Sequence, residues 1–363
     1  MADAPAAMTA DPRISVEELQ LATRNHGMPL EALRHDVTPV GLHYLLIHYD
    51  IPLVEDADDW RVEVSGAVRQ PLELSLADLH DREQVTAPVT LECAGNGRAR
   101  FNPRAVSQPW LVEAVGTGRW TGTRLRALLA DAALTDDAVE VVFTGADRGV
   151  EGGQVQHYQR SLTIEQATAE EVLVVWALNG QPLPAQHGFP VRLLVPGWYG
   201  MASVKWLRSI AVVTRPFTGY QQARAYRMRR DPDEPGEPVD RIVVRSLLLP
   251  PGIPDFMTRR RFVAAGEPCL IEGRAWSGQG PIIRVEVTTD GGRTWADATV
   301  HPADGPHAWH RFTWWWQDPA RGDHRIASRA TDASGDVQPI EPRWNLGGYA
   351  GTHIHVLEVT ASA

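Results

Sequence analysis

Residues 93–98, Cys-Ala-Gly-Asn-Gly-Arg, carry the clearest potential for chemistry in this chain. Residues 88–92 before them are rich in β-branched and apolar side chains, which predicts a strand that ends at the cysteine. The thiolate of Cys93 is a soft ligand and would select a soft metal. The two glycines let the backbone approach whatever the sulfur holds, and Arg98 can face an anion beside the metal. The alternative is a structural cysteine at a buried strand end.

Other motifs are weaker. His353 and His355 alternate, so on a strand their imidazoles would share one face and could bind a metal. No further ligand is near them in the sequence, which favours an ordinary strand surface. Cys269 occupies an apolar strand position and is expected in a core. Three consecutive tryptophans at 314–316 are typical of core and interface. The usual nucleotide-binding and serine-hydrolase motifs are absent from the sequence.

Residues 93–98 resemble the molybdenum-ligand motif of the sulfite oxidase family, which commonly has an arginine where this chain has Gly97. Residues 179–197 resemble the family's pterin-binding segment, and a second matching stretch follows at 203–207. The resemblance covers residues 36–358. It implies an α+β molybdopterin-binding domain followed by an all-β immunoglobulin-like sandwich that serves for dimerisation.

The resemblance also implies roles for individual residues. Cys93 would be the metal ligand, and a phosphorylated pterin would need cationic and hydrogen-bonding groups around it. Arginine can hold phosphate through two parallel bonds, lysine adds a point charge, and a carboxylate suits pterin N–H donors. By themselves, Ser203 and Lys205 could be surface residues, and Asp147 could be a turn residue. The cofactor contacts implied by the resemblance are His48, Asp147, His187, Arg192, Ser203 and Lys205.

Residues 37–52 resemble the family's first cofactor-binding stretch but differ at one triplet. Where the family reads Arg-Asn-His, this chain reads Leu-Ile-His, which retains His48 and places Leu46 at the arginine position. In sulfite oxidases that arginine helps to bind sulfite, so Leu46 weakens the assignment of sulfite but not that of the cofactor. Residues 24–26 spell Arg-Asn-His earlier in the chain. Their flanks do not fit, so we interpret that triplet as coincidence, although it could fold back.

Three residues are expected around the open side of the metal. Arg98 and Trp110 match substrate-pocket positions of the family. Tyr226 matches a pocket tyrosine only if one residue is inserted before it. Otherwise Tyr226 would be an ordinary linker tyrosine, and Tyr220 is the second candidate for the pocket position.

The elements that must position these residues are of mixed type. Ser15 and Glu18 fit a capping box at the start of a helix. Residues 60–65 alternate in polarity, as a half-buried strand does, and other segments are continuous apolar runs typical of buried strands. The mixture predicts an α+β fold. Helices are predicted at 15–22, 74–79 and 124–130, and buried strands at 139–144 and 172–177.

A charged, proline-rich passage at 228–241 reads as a linker. After it, residues 268–276 and 282–288 alternate in polarity, and Asp-Gly-Gly-Arg at 290–293 predicts a hairpin. Short strands at this spacing predict a two-sheet sandwich. The predicted organisation is an N-terminal extension (1–35), a catalytic domain (36–227), the linker (228–241) and a dimerisation domain (242–363).

The bulk composition bounds the class of protein. A chain of 363 residues with 43% hydrophobic and 22% charged residues fits a globular protein of two domains. A formal charge of −10 argues against a general nucleic-acid binder. The two cysteines suggest no disulfide framework, which fits a reducing compartment. Residues 1–8 lack the features of an export signal, and no segment predicts a membrane span, so a cytoplasmic location is expected.

The leading functional hypothesis is a molybdenum–molybdopterin oxidoreductase that oxidises sulfite to sulfate. The resemblance implies a homodimer, and the chain has no sequence for a haem domain, so a separate acceptor would take the electrons. A second hypothesis keeps the cofactor and changes the substrate to an oxide, a nitrate-like anion or another sulfur compound. A third is a non-catalytic dimeric scaffold.

Overall fold

The computed structural model describes residues 8–9 and 14–362. The prediction about an export signal concerns residues 1–8, nearly all of which lie outside this range. Within the described residues, no helix is both long and apolar enough to cross a membrane. The α-helices are α1 (Val16–Arg24), α2 (Leu76–His80), α3 (Leu125–Ala132) and α4 (Ile164–Ala167).

The three predicted helices are confirmed, with small shifts at their ends. Helix α1 begins after Ser15, whose hydroxyl accepts from the Glu18 N–H at 3.2 Å while the Glu18 carboxylate accepts from the Ser15 N–H at 2.9 Å. This is the predicted capping box. Helix α2 begins later than predicted because Ser75 forms a second capping box with Asp78. Short 3₁₀ helices lie at Leu30–Arg34, Val40–Leu42, Arg98–Arg100, Ala185–His187 and Gly200–Ala202, and a π-helix at Gln221–Ala225.

In the described residues before position 214, twelve strands are present, and most of them form two five-stranded sheets. They are β1 (Met8–Thr9), β2 (Val62–Gly66), β3 (Leu72–Leu74), β4 (Val85–Glu92), β5 (Arg104–Ala105), β6 (Val115–Arg124), β7 (Glu140–Glu151), β8 (Gln154–Thr163), β9 (Leu173–Leu178), β10 (Gln181–Pro182), β11 (Arg192–Leu194) and β12 (Leu207–Val213). One sheet has the order β10-β9-β6-β4 with β11 also on β9, and the other has the order β3-β2-β12-β7-β8. Strands β1 and β5 pair separately.

The predicted strands fall where their hydrophobic patterns require. Strand β9 is a continuous apolar run and is mostly buried, as expected for the middle of a covered sheet. Strand β2 alternates between buried and more exposed residues, as a half-buried strand does. Strand β4 pairs antiparallel with β6 along its whole length and ends at Glu92 opposite Val115. The end of β4 therefore fixes the position of Cys93.

The C-terminal part is a two-sheet β-sandwich, called the sandwich below (residues 245–362). Its strands are β15 (Arg245–Leu249), β16 (Ile253–Pro254), β17 (Arg261–Ala264), β18 (Cys269–Trp276), β19 (Ile282–Thr288), β20 (Ala296–Asp297), β21 (Thr299–Val300), β22 (His310–Trp316), β23 (Gly322–Asp332) and β24 (Leu357–Ser362). The two sheets have the orders β15-β18-β22-β21 and β16-β17-β24-β23-β19-β20, and residues of both sheets share one hydrophobic core. The predicted hairpin around residues 290–293 joins β19 to β20.

The segment predicted as a linker has structure of its own. Strands β13 (Arg227–Met228) and β14 (Glu237–Pro238) form a short antiparallel hairpin that begins one residue before this segment. Val239 and Ile242 are buried, and together with Trp276 and Trp309 they belong to the core of the N-terminal sheets. The two parts of the chain therefore share a core across this segment. The predicted boundaries at 35, 227 and 241 remain predictions.

Candidate functional site

One cavity contains the Cys93 thiol and most of the residues predicted to surround it. The cavity lies between the end of β4, the stretch around residues 43–48, and the segment that follows β11. Eight of the ten predicted site residues line it, and Arg98 and Trp110 do not. The eight are His48, Cys93, Asp147, His187, Arg192, Ser203, Lys205 and Tyr226.

The turn after Cys93 is tight because backbone hydrogen bonds hold it on both sides. The Cys93 N–H donates to the Ala114 carbonyl at 2.9 Å, and the Asn96 N–H donates to the Cys93 carbonyl at 2.9 Å. Gly97 has a φ of 94°, and a Cβ there would lie 2.3 Å from the Gly351 carbonyl oxygen. Only glycine fits this position, which explains why the arginine common in the family is absent.

The expectation that the glycines let the backbone approach a ligand of the sulfur stays a prediction. The structure shows a second role for them. A Cβ on Gly95 would lie 2.6 Å from the Arg98 guanidinium, and Gly97 makes room for the backbone of Gly351. The glycines therefore let other parts of the protein pack against the turn.

Arg98 and Trp110 are buried beside Cys93 but outside the lining of the cavity. The Arg98 guanidinium donates to the Gly347 carbonyl at 2.9 Å and lies 5.3 Å from the centre of the Tyr349 ring. Burial raises the pKa of the Cys93 thiol, whereas the Arg98 charge and the Trp110 indole N–H act in the opposite direction. The indole nitrogen has no well-formed hydrogen bond of its own, so its effect on the sulfur is one of proximity.

Two cationic side chains form one wall of the cavity. The Arg192 guanidinium donates to the His187 carbonyl at 3.0 Å and to the Ser203 carbonyl at 2.9 Å. The Lys205 ammonium donates to the carbonyls of Leu46 at 2.8 Å and Gln186 at 2.9 Å. Burial lowers the pKa of Arg192 to about 10, and burial together with the Arg192 charge lowers that of Lys205 to about 7. These backbone contacts hold both cations at the cavity, and neither forms an ion pair with a carboxylate of residues 14–362.

Neutral groups line the cavity beside these cations. Burial lowers the pKa of His187 to about 2, so its ring is neutral at physiological pH. The Ser203 hydroxyl accepts from the Val195 N–H at 3.0 Å, which leaves its hydrogen free to donate. His43, which sequence reasoning missed, also lines the cavity and is 5.6 Å from the His187 ring. Its Nε2 atom is buried without a partner.

Asp147 supplies the acidic group predicted for this cavity. It is buried, and its Oδ1 atom has no hydrogen-bond partner. Burial raises the pKa of Asp147 to about 6, although the charge of Lys205 opposes the shift. Unpartnered atoms on Asp147 and His43, next to two cations, fit a bound molecule that has its own hydrogen-bond donors, acceptors and negative charge. A phosphorylated pterin has these properties.

Sequence reasoning missed Glu151, which organises the far side of the cavity. Its Oε2 atom accepts hydrogen bonds from His48 Nε2 at 3.0 Å, from the Tyr49 hydroxyl at 2.8 Å and from Gln221 Nε2 at 2.7 Å. Burial raises the pKa of Glu151, but these hydrogen bonds outweigh it and the net pKa is lowered. The carboxylate accepts a hydrogen bond from His48 Nε2, which requires a proton on that nitrogen. No motif marks Glu151, because it lies at the end of β7, far from residue 48 in the sequence.

The earlier Arg-Asn-His triplet does fold back, so its interpretation as coincidence needs correction. Arg24 donates to the Tyr49 carbonyl at 2.7 Å, and Asn25 Oδ1 accepts from the Ile47 N–H at 2.7 Å. Residues 24–26 thus lie beside residues 45–49. Arg24 is exposed and does not line the cavity, whereas Leu46 does.

The structure selects Tyr226 rather than Tyr220 as the tyrosine of the cavity. The π-helix at Gln221–Ala225 lies directly before Tyr226. A π-helical turn accommodates one extra residue relative to an α-helical turn. It therefore provides a place for the insertion that the sequence comparison required.

The weaker metal motif was placed wrongly. His353 and His355 lie in an irregular segment before β24, not on a strand, and His353 is buried rather than at a surface. Cys269 is half-buried at the first residue of β18 and packs at the edge of the sandwich core. Among the described residues, no group of three or more His, Cys, Asp or Glu side chains could hold a metal ion. A metal at Cys93 would need its other ligands from a cofactor.

Two family models match the chain. Residues 48–221 match the oxidoreductase molybdopterin binding domain, and residues 254–362 match the Mo-co oxidoreductase dimerisation domain. The first match begins at His48 and ends at Gln221, so it contains seven of the eight predicted residues that line the cavity.

Curated relatives and a solved structure extend this similarity to nearly the whole chain. Mitochondrial sulfite oxidase from Rattus norvegicus is 35% identical over 89% of this chain and 61% of its own length. Inducible NADH nitrate reductase 2 from Glycine max is 32% identical over 89% of this chain and 39% of its own length. The chain therefore spans less than two thirds of either relative. The crystal structure of the sulfane dehydrogenase SoxCD from Paracoccus pantotrophus is similar with a TM-score of 0.79 and 25% identity, covering 93% of this chain and 86% of that chain.

Proposed function

Because this chain belongs to the sulfite oxidase family of molybdopterin-dependent oxidoreductases, we propose that it transfers an oxygen atom to or from a small anion. The favoured reaction is the oxidation of sulfite to sulfate, in which sulfite and water give sulfate, two protons and two electrons. A separate acceptor takes the electrons. The cofactor is molybdenum–molybdopterin, with Cys93 as the single protein ligand to the metal.

The observation that carries this proposal is that one cavity brings together a thiol and two cations that have no carboxylate partner among the described residues. Cys93 shares the cavity with Arg192 and Lys205, whose charges would hold the phosphate of the cofactor. Asp147 would accept from pterin N–H groups, and His187 and Ser203 would complete the polar contacts. When bound, the cofactor supplies two-electron oxygen-atom chemistry, and the protein orients it.

The chain contributes groups for the substrate as well. Tyr226 lines the cavity and would contact the anion, whereas Arg98 and Trp110 lie outside the lining and would act through their proximity to Cys93. His48, with Nε2 bound to Glu151, offers Nδ1 as an acceptor when neutral. In the proposed oxidation this nitrogen can take one of the protons that water releases.

One observation favours a second candidate, in which the cofactor is the same but the substrate differs. Leu46 lines the cavity where a sulfite-binding arginine is expected, so the wall is less cationic there. The proteins similar to this chain include a nitrate reductase and a sulfane dehydrogenase as well as sulfite oxidases. Another sulfur compound or a nitrate-like anion is therefore the alternative substrate.

Further proposals concern the assembly and the setting of the protein. The match of residues 254–362 to a dimerisation domain supports a homodimer. We also propose that no haem takes part, that the protein acts in the cytoplasm, and that the catalytic and dimerisation domains divide at residues 228–241.

The proposal is tested with the full chain made in a host that synthesises the cofactor. We expect close to one molybdenum atom per chain by elemental analysis, and sulfite-dependent reduction of an artificial one-electron acceptor. Cys93→Ser should abolish turnover while the circular dichroism spectrum stays unchanged, and Cys269→Ser is the matched control that should remain active. Molybdenum without a sulfite-dependent rate would favour the second candidate. Wild-type protein that binds no molybdenum would support a non-catalytic scaffold.

A further inference from the structure

A fully buried ion pair joins the cysteine turn to the sandwich. Glu92, the last residue of β4, and Arg245, the first residue of β15, have no exposed side-chain surface. Arg245 Nη1 donates to Glu92 Oε1 at 2.7 Å. Two more donors bind the same carboxylate. Asn96 Nδ2 donates to Oε1 at 2.9 Å, and Trp276 Nε1 donates to Oε2 at 2.8 Å. The residue directly before Cys93 is thus held by side chains from both parts of the chain.

The sandwich supplies two of these three donors from neighbouring strands. Arg245 and Trp276 lie opposite each other in the β15–β18 pair, so their side chains leave the same face of the sheet. Within the described part of the chain, Glu92 is the one carboxylate that pairs with Arg245. The Nε and Nη2 atoms of Arg245 are buried without partners. The position of this guanidinium therefore depends on Glu92, and the position of Glu92 depends on it.

The same side of the turn meets the sandwich a second time. The Ala350 N–H donates to the Ala94 carbonyl at 2.9 Å, and Gly97 packs against the Gly351 backbone. Arg98 donates to the Gly347 carbonyl at 2.9 Å. Residues 347–351 therefore cover the turn next to Arg245, and the turn has little freedom to move while these contacts last.

We propose that Arg245 is a positioning residue for Cys93, so that the sandwich is a structural part of the metal site and not only a dimerisation module. The effect on metal retention rests on the proposed function, but the effect on the cysteine turn does not. The geometry also makes a specific demand on residue 92. Because both oxygens of Glu92 accept hydrogen bonds, a glutamine there would turn its NH₂ group toward a buried donor, whichever way it faced.

The test compares arginines that join the two parts of the chain. Arg261 is the matched control, because it is buried and pairs with Glu31 across the same boundary but does not touch the cysteine turn. The full chain is made in a host without the cofactor and treated with iodoacetamide, and mass spectrometry follows both thiols. Cys269, in the sandwich, is the internal reference.

In Arg245→Met we expect Cys93 to be alkylated about tenfold faster than in the wild type, because a buried charge left unpaired opens the turn locally. Glu92→Gln should behave similarly, and Arg245→Lys should fall between Arg245→Met and the wild type. Cys269 should be unaffected in each variant, and Arg261→Met should leave Cys93 at the wild-type rate. If Arg245→Met does not fold, Glu92→Gln and Arg245→Lys decide the question. Wild-type labelling of Cys93 in the folded variants would overturn the proposal, as would equal acceleration in Arg261→Met.

A second measurement follows the metal in protein from the cofactor-producing host. Arg245→Met should retain several-fold less molybdenum after dialysis than wild type or Arg261→Met. Equal retention would refute the role of Arg245 in holding the site. If the wild type itself contained no molybdenum, the proposed function would fail, and the alkylation rates would still decide whether Arg245 positions the turn.

Discussion

Asp147 and Lys205 face one cavity, and burial shifts their pKa values toward each other. Burial raises the pKa of Asp147 from 3.8 to about 6 and, with the Arg192 charge, lowers that of Lys205 from 10.5 to about 7. Asp147 therefore contributes stability below pH 3.8 that is lost as the pH rises through about 6. Lys205 contributes stability above pH 10.5 that is lost as the pH falls through about 7. The two shifted pKa values therefore lower the free energy of unfolding of the cofactor-free protein near neutral pH.

Asp147→Asn should remove the part of this destabilisation that comes from the buried carboxylate. In cofactor-free protein we expect the substitution to be more favourable at pH 8 than at pH 4 by about 2 kcal/mol, since each pKa unit corresponds to about 1.4 kcal/mol. Urea unfolding at the two pH values measures the difference. Asp136→Asn is the control, because that carboxylate is exposed. A pH-independent effect of Asp147→Asn would contradict the assignment.

A substitution at Leu46 can test which anion the cavity binds. Leu46→Arg places a guanidinium at the expected substrate position, and the Lys205 contact is preserved because it uses the backbone carbonyl. If sulfite is the substrate, its KM should fall about tenfold, which corresponds to a hydrogen bond to a charged group. Steady-state kinetics with an artificial acceptor measures this. Leu53→Arg, at an exposed position, should leave the KM unchanged. An unchanged KM in Leu46→Arg would count against sulfite.

Residues with a role that depends on the local sequence could be predicted, and residues selected by long-range contacts could not. Four residues that line the cavity lie in segments whose sequence resembles motifs of the family. They are Cys93, His187, Arg192 and Lys205. Glu151 touches His48 from 103 positions away. Its identity as a partner comes from the way β7 and β8 cross the cavity, which no local pattern records.

At the scale of elements, helix α1 is attached to the catalytic part by one buried ion pair. Arg104 Nε donates to Glu18 Oε1 at 3.0 Å and Arg104 Nη2 donates to Oε2 at 2.9 Å. The Glu18 side chain is fully buried, and that of Arg104 is 5% exposed. Asn25, just after the helix, donates to Gln108 at 2.9 Å. The N-terminal extension thus supports the segment between Arg98 and Trp110.

Glu18→Ala should destabilise the protein by about 3 kcal/mol or more, because it removes a fully buried carboxylate that accepts two hydrogen bonds from Arg104 and half of the capping box. Urea denaturation followed by circular dichroism measures this loss. Glu17→Ala is the matched control, because Glu17 is exposed on the same turn, and its free energy of unfolding should stay within about 0.5 kcal/mol of wild type. A similar small change in Glu18→Ala would show that α1 is not anchored there.

Elements whose hydrophobic residues recur with a clear period were predicted from the sequence. Segments whose conformation is stabilised by the other part of the chain were not. Strand β9 and helix α3 follow from their apolar patterns. Residues 351–356 alternate like a strand, yet the Ile354 N–H donates to the Pro339 carbonyl and the segment packs beneath the cysteine turn. The tertiary contacts override the local pattern there. The proline-rich passage at 228–241 was predicted as a linker. Its burial could not be predicted either, because it depends on contacts with distant parts of the chain.

At the scale of the whole molecule, the two parts of the chain are held together by buried contacts. Trp276, Trp309 and Leu247 of the sandwich belong to the hydrophobic core of the N-terminal sheets. Buried arginines of the sandwich also pair across the boundary with Glu92, Glu31 and Asp36. An interface of this kind resembles the interior of one domain more than a contact between independent domains.

We therefore expect the chain to unfold as one cooperative unit, although its sequence reads as two domains. Calorimetry should show one transition with equal calorimetric and van't Hoff enthalpies. A protease site inserted at the exposed residues 231–235 provides a second measurement. After cleavage, the two fragments should still elute together from a gel-filtration column, because the shared core and ion pairs do not depend on the passage that was cut. Two separated transitions, or fragments that dissociate without denaturant, would show that the sandwich is an independent domain and would remove the structural basis for its part in holding Cys93.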